Sequence, residues 1–92
     1  MNTPTITSID TALKVYYSHS EIGNKEINML FGRLSSATIS RLKKAAKSEM
    51  TNRDMLSYRM YTVNTAVAFD VWGLDVADLE KRRKKLKELE LH

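Results

Sequence analysis

Serine and basic side chains meet in one short stretch of the chain, LFGRLSSATISRLKK, from Leu30 to Lys44. A glycine is followed by two serines and then by a run of helical character whose basic residues gather toward its end. Small polar side chains at the start of a helix can approach base edges in the major groove, and cations on its flanks can meet phosphates. This order of residue types therefore predicts a helix that reads duplex DNA.

The predicted reading helix covers residues 36–49. We expect its phosphate contacts from Arg33, Ser35, Thr38, Arg41, Lys43 and Lys47, and its base contacts from Ser36, Ala37, Ser40 and Lys44. Arg59 is a further candidate for a phosphate contact, with a half-buried strand residue as the alternative. For the stretch as a whole, the alternative is an ordinary amphipathic helix whose lysines form a solvated face.

Helical spacing of apolar residues predicts the elements that position this helix. A first helix follows Ser8, with Ser8 or Asp10 as its N-cap. A polar turn is expected over residues 18–24. Asn24 is placed to cap a short second helix, which Gly32 ends because a left-handed backbone is least strained at glycine.

The second half of the chain continues the pattern less clearly. Ser35 caps the third helix, and its inner face is formed by Ile39, Leu42, Ala46 and Met50. Residues 55–63 alternate in a way that predicts a short extended or hairpin element, although Met, Leu and Arg also suit a continued helix. Asn64 then caps a fourth helix that Gly73 ends, and Asp75 opens a fifth.

Two helices joined by a short turn that begins with glycine have the layout of a helix-turn-helix. We therefore predict a mainly α fold, a bundle of about five helices, with a short β-wing near residues 55–63 as an option. Residues 1–74 would form the DNA-binding domain. Residues 75–92 would form a charged helix that packs on this domain or mediates dimerisation.

The segment EINMLFGRLSSATISRLKK resembles the helix-turn-helix of small phage and mobile-element proteins, including resolvase/invertase recombinases and excisionase-like regulators. The pattern in those families is Ile-x-x-Leu-Phe-Gly, a hydrophobic residue, then Ser-x-x-Thr-Val-x-Arg-Leu. It is matched by Ile27, Leu30, Phe31, Gly32, Leu34, Ser35, Thr38, Ile39, Arg41 and Leu42. Arg33 adds one residue to the turn, and Asn28 occupies a position where a small apolar residue is common. The resemblance implies a transcriptional regulator, an architectural factor or a packaging-initiation component.

The distribution of charge agrees with this interpretation. Residues 33–59 contain seven cations and two anions, whereas residues 60–80 contain four anions and no cation. The whole chain has a formal net charge of +4. Positive charge therefore concentrates on the predicted reading unit, as binding to a polyanion requires.

Other classes of function find little support in the sequence. The chain has no cysteine and histidine only at positions 19 and 92, so familiar zinc spacings are missing. Three isolated glycines form no phosphate loop, and His19 beside Ser18 and Ser20 lacks an oriented base. We expect no catalysis, no metal, no cofactor and no small-molecule substrate. We also expect no membrane span and a cytoplasmic location.

The basic run Lys81–Lys87 leaves several interpretations open: a solvated helix face, a second phosphate-binding surface or a targeting patch. Leu79 and Leu86 are seven residues apart, which permits a coiled-coil dimer, although Arg83 and Glu90 fall on neighbouring seam positions. A homodimer or a cooperative multimer on duplex DNA is expected, because one reading unit binds few base pairs. The rivals are a protein–protein interaction module that docks through the last helix, and an RNA binder with exposed aromatic residues.

Overall fold

The computed structural model describes residues 3–55 and 59–90, and within them the chain is mainly helical. Its five helices are α1 (Ile9–Ser18), α2 (Asn24–Phe31), α3 (Ser36–Asn52), α4 (Thr65–Val71) and α5 (Val76–Glu90). Two short strands, β1 (Glu21–Ile22) and β2 (Val63–Asn64), form an antiparallel pair. The prediction of a mainly α fold with about five helices is confirmed.

Capping side chains begin most of these helices where the sequence predicts. The Ser8 hydroxyl accepts a hydrogen bond from the Thr11 amide at 3.0 Å at the start of α1. Asn64 caps α4 through its side-chain oxygen. Asp75 does the same for α5. These oxygens satisfy amides that have no partner inside the helix.

The start of α2 differs from the prediction. Asn24 is the first residue of this helix and not its cap, which is Gly23. Glycine offers no side-chain acceptor for the amides of the first turn. The carboxylate of Glu26 nevertheless accepts a hydrogen bond from the Gly23 amide at 2.8 Å. This bond from the first turn back to the cap amide is the reciprocal half of a capping box.

The small sheet joins two distant parts of the chain. Glu21 pairs with Asn64 and Ile22 with Val63, so β1 lies inside the segment 18–24 that was expected to be a turn. The turn prediction is wrong there because the buried side chain of Ile22 and a partner strand far along the sequence stabilise extended backbone. Among the described residues of the predicted wing segment 55–63, only Val63 joins the sheet. Residues 56–58 lie outside the described residues.

One hydrophobic core unites the helices. Helix α3 packs against α4 and β2, and α1 packs against α2 and α5. The largest fully buried side chains are Phe69, Ile22, Ile27, Leu30, Leu42, Val15, Val63 and Val67. Val71 is half-buried and packs against this core.

Helix α5 is the least embedded element. Leu79 is its only buried residue. In its first half and at its midpoint, α5 is held to α1 by two contacts. The Tyr17 hydroxyl donates to the Glu80 carboxylate, and Arg83 forms an ion pair of 2.8 Å with Asp10. No helix in residues 3–55 or 59–90 is both long and apolar enough to cross a membrane.

Candidate nucleic-acid interface

The turn between α2 and α3 is built by a glycine and a capping serine. Gly32 ends α2 with a φ of +82°, the left-handed region that favours glycine, and its amide donates to the Asn28 carbonyl at 2.8 Å. The Ser35 hydroxyl then accepts from the Thr38 amide at 3.2 Å and begins α3. Both ends of the turn are therefore formed as the sequence predicts.

Asn28 explains how the turn accommodates the additional residue Arg33. The side-chain oxygen of Asn28 accepts a hydrogen bond from the Leu34 amide at 3.3 Å, which spans the turn. Leu34 packs against the core, and Arg33 is left exposed. The polar side chain at position 28 thus satisfies a backbone amide of the turn that contains Arg33.

The inner face of α3 is firmly held. Ile39, Leu42, Ala46 and Met50 are all buried, as predicted. The indole nitrogen of Trp72 donates to the Leu42 carbonyl at 3.0 Å in the buried interior. A helix fixed in this way presents its outer side chains in one orientation, which sequence recognition requires.

The outer face of α3 brings together most of the predicted contact residues. The exposed members are Arg33, Ser35, Ser36, Ala37, Ser40, Arg41 and Lys44. Thr38, Lys43 and Lys47 are half-buried. The hydroxyl of Thr38 lies 2.9 Å from that of Ser35, so these two groups serve the helix cap as well as the surface.

Two lysines on this face influence one another. The pKa of Lys43 is lowered, first because partial burial disfavours its charged form and second because Lys47 is nearby and also positive. A bound anion would offset both effects. Lys43 and Lys47 therefore concentrate positive charge on this side of α3.

Arg59 lies close to α3 but its guanidinium is already engaged. Its Nε lies 3.7 Å from a carboxylate oxygen of Glu21. Its carbonyl accepts a hydrogen bond from Lys47 Nζ at 2.8 Å. The structure thus brings residue 59 to the predicted interface through its backbone, while its side chain pairs with an anion of β1.

Sequence reasoning did not find the exposed apolar residues beside α3. Met60 and Tyr61 are 80% and 75% exposed. Together with Ser36, Ser40 and Lys43 they line a cleft of about 300 Å³. Only the turn at 60–61 places them there, and the local alternation of residues 55–63 does not reveal that turn.

The described tyrosines differ in exposure. Tyr17 and Tyr61 are among the exposed large side chains. Tyr16 is half-buried and packs on Phe69, with ring centroids 5.0 Å apart. The aromatic surface that an RNA binder would use is therefore larger than the sequence indicates.

Histidine and acidic side chains, the residue types that could bind a metal ion, do not cluster in the described part of the chain. Within the described residues, no three His, Asp or Glu side chains form a cluster that could hold a metal ion. The His19 Nδ1 atom lies 3.3 Å from the Val15 carbonyl, at the end of α1. Comparison of the chain with protein-family models, with curated proteins and with solved structures finds no match.

Proposed function

We propose that this protein binds duplex DNA, with α3 in the major groove. The observation that carries the proposal is the arrangement of α3: its inner face is buried, its first turn exposes Ser36, Ala37 and Ser40, and cations flank that turn. Arg33, Arg41, Lys43 and Lys47 meet phosphates, and Lys44 reaches a base edge. Ser35 and Thr38 add hydroxyl contacts to the backbone of the DNA.

The biological role that fits this proposal is that of a transcriptional regulator or architectural factor of a phage or mobile element. It rests on the resemblance of the helix-turn-helix segment. One reading helix contacts few base pairs, so two copies, or a row of copies along the DNA, supply the affinity that a regulator needs.

The salt dependence of binding tests the proposal. Filter binding with a set of duplexes between about 50 and 200 mM salt should show affinity that falls steeply as salt rises, because phosphate contacts release counterions. Arg41→Ala with Lys44→Ala should weaken binding and reduce the slope of log K against log salt by about 2 if both cations contact phosphate, and by about 1 if Lys44 contacts a base.

A matched control removes two exposed cations elsewhere, Lys14→Ala with Lys25→Ala. This variant should retain the slope and affinity of the unaltered chain. Equal losses in both variants, or binding that ignores salt, would contradict the proposal. Single-stranded RNA is added as a competitor. If it displaces duplex DNA at equal concentration, the result favours the RNA-binding alternative, in which Tyr61 beside α3 stacks on a base.

A second candidate function is docking to another protein through α5. The observation that favours it is the small buried part of this helix, since Leu79 alone enters the core. Two exposed leucines near the end of α5, Leu86 and Leu89, would form part of such a surface.

A further inference from the structure

Two adjacent apolar side chains lie on the surface next to α3. Met60 and Tyr61 form a turn shortly before β2, and both are largely exposed to solvent. Large apolar side chains that are contiguous at a protein surface mark an interaction site more often than isolated ones do. The two residues have only apolar surface in common, because a methionine side chain has no strong hydrogen-bonding group. A partner that both can bind is therefore apolar.

The backbone of this turn is held on both sides. One carboxylate oxygen of Glu21 accepts a hydrogen bond from the Thr62 hydroxyl at 3.2 Å, and the other lies 3.7 Å from Arg59 Nε. The Arg59 carbonyl accepts from Lys47 Nζ at 2.8 Å, which ties the turn to α3. Glu21 thus contacts the residues on either side of the two exposed side chains. A side chain on a turn fixed in this way contacts a partner in one orientation.

The turn forms one wall of a cleft whose other wall is α3. Met60 and Tyr61 line this cleft together with Ser36, Ser40 and Lys43. In the proposed DNA complex Ser36 and Ser40 face base edges, so the cleft opens toward the floor of the major groove. The major-groove edges of the bases carry hydrogen-bonding groups and one apolar group, the 5-methyl group of thymine. An apolar wall beside these two serines therefore fits that methyl group.

We propose that Met60 and Tyr61 are specificity-determining residues that bind thymine 5-methyl groups next to the bases that α3 contacts. The inference rests on the proposed function and adds a base preference to it, for thymine over cytosine or uracil at the same position. Ser36 and Ser40 supply hydrogen bonds to base edges from one side of the cleft. Met60 and Tyr61 supply apolar contact from the other side.

Removal of single methyl groups from the DNA tests the proposal. Binding sites are first selected from random duplexes with the unaltered chain. Each thymine is then replaced in turn by deoxyuridine, which lacks only the 5-methyl group. Affinity should fall about fourfold at a thymine that faces the turn, as expected when one buried methyl group is lost. Thymines elsewhere in the site should show no change.

A double variant links the methyl effect to the turn. Met60→Ala with Tyr61→Ala should bind thymine and uracil sites with equal affinity. The slope of log K against log salt should stay that of the unaltered chain, because an apolar contact releases no counterions. This outcome differs from that of Arg41→Ala with Lys44→Ala, which lowers the slope.

Single variants separate the apolar contact from other effects. Tyr61→Phe keeps the ring and should retain the thymine preference. Leu89→Ala is the matched control: it removes a side chain of α5 that is 63% exposed, against 75% for Tyr61, and should also retain the preference. Glu21→Ala releases both sides of the turn and should reduce the preference, because the apolar wall is no longer fixed. Circular dichroism checks that each variant keeps its helices.

The results that would overturn the inference differ from those that would overturn the proposed function. Salt-dependent binding without any difference between thymine and uracil sites would overturn the inference alone. So would a methyl effect that persists in the double variant, since other residues would then contact the methyl group. A loss in Tyr61→Phe as large as that in the double variant, at thymine and uracil sites alike, would assign Tyr61 to a phosphate through its hydroxyl. Absence of binding to duplex DNA would contradict both proposals.

Discussion

Helices α3 and α5 are both long and basic, yet the fold holds them in different ways. Helix α3 has 17 residues and buries four, while α5 has 15 residues and buries one. Trp72 also fixes α3 through a buried hydrogen bond to its backbone, whereas the links of α5 to α1 beyond Leu79 are made by exposed groups. The number of cations on a helix therefore does not indicate how firmly the helix is positioned, and the apolar residues on its inner face do.

The largest expected effect separates the cores of the two helices. Leu42→Ala removes a fully buried side chain of α3 and should lower the free energy of unfolding by about 2–5 kcal/mol. Leu89→Ala removes an exposed side chain of α5 and should change it by about 0.5 kcal/mol or less. Urea denaturation of both variants measures the difference. Similar losses would show that α5 is as integral to the body as α3.

The two N-caps provide the next comparison. Ser35→Ala removes the cap of α3 and should reduce the stability of the whole domain by about 1 kcal/mol. Asp75→Ala removes the cap of α5, which should fray that helix and reduce its ellipticity while the unfolding midpoint of the body stays unchanged. Amide hydrogen exchange locates each effect. If both variants lowered global stability equally, α5 would be as integral to the fold as α3.

A gain in stability is expected at the end of α3. Asp54 has a φ of +55°, and the Met55 amide beyond it donates to the Met50 carbonyl at 2.9 Å. Because glycine adopts this backbone without strain, Asp54→Gly should raise the free energy of unfolding by about 0.5–1 kcal/mol. Asp54→Ala, which keeps a Cβ, should give no such gain in the same thermal melts. If both variants gain equally, the left-handed backbone is not the cause.

The smallest effect concerns the contact between α1 and α5. The pKa of Tyr17 is raised above its ordinary value of 10.0, chiefly because its hydroxyl donates to the Glu80 carboxylate. A group whose pKa is raised by folding supports the contact fully below its ordinary pKa and loses that support as the pH rises through the raised value. The protection factors of α5 amides, which correct for the base catalysis of exchange, should therefore fall above pH 10.

Tyr17→Phe provides the control for this pH dependence. The variant has no phenol to ionise, so α5 exchange should increase slightly at neutral pH and show no additional step in the alkaline range. A step of the same size in this variant would assign the effect to the lysines of α5.

Local signals in the sequence predicted much of the fold. Ser8, Ser35, Asn64 and Asp75 cap the helices that they were expected to cap, because a capping side chain bonds to amides only a few residues away. The inner face of α3 was likewise predicted, since helical periodicity is a property of consecutive residues.

The errors and omissions concern interactions between distant residues. The pairing of Ile22 with Val63, the ion pair of Arg59 with Glu21 and the position of Tyr61 beside α3 all depend on how the chain returns on itself. The hydrogen bond from the Leu34 amide to Asn28 joins residues that are close in sequence. It was not predicted, because it forms only when the turn has its observed shape. For the candidate interface, α3 and its buried face were predictable and the loop beside it was not.

Trp72 gives the molecule an optical property. It is the single tryptophan of the chain, it is 2% exposed, and its ring centroid lies 5.7 Å from that of Phe31. Its emission therefore originates where the backbone of α3 meets the end of α2. Intrinsic fluorescence will follow the integrity of α3 without any attached label, and it will not change when α5 alone frays.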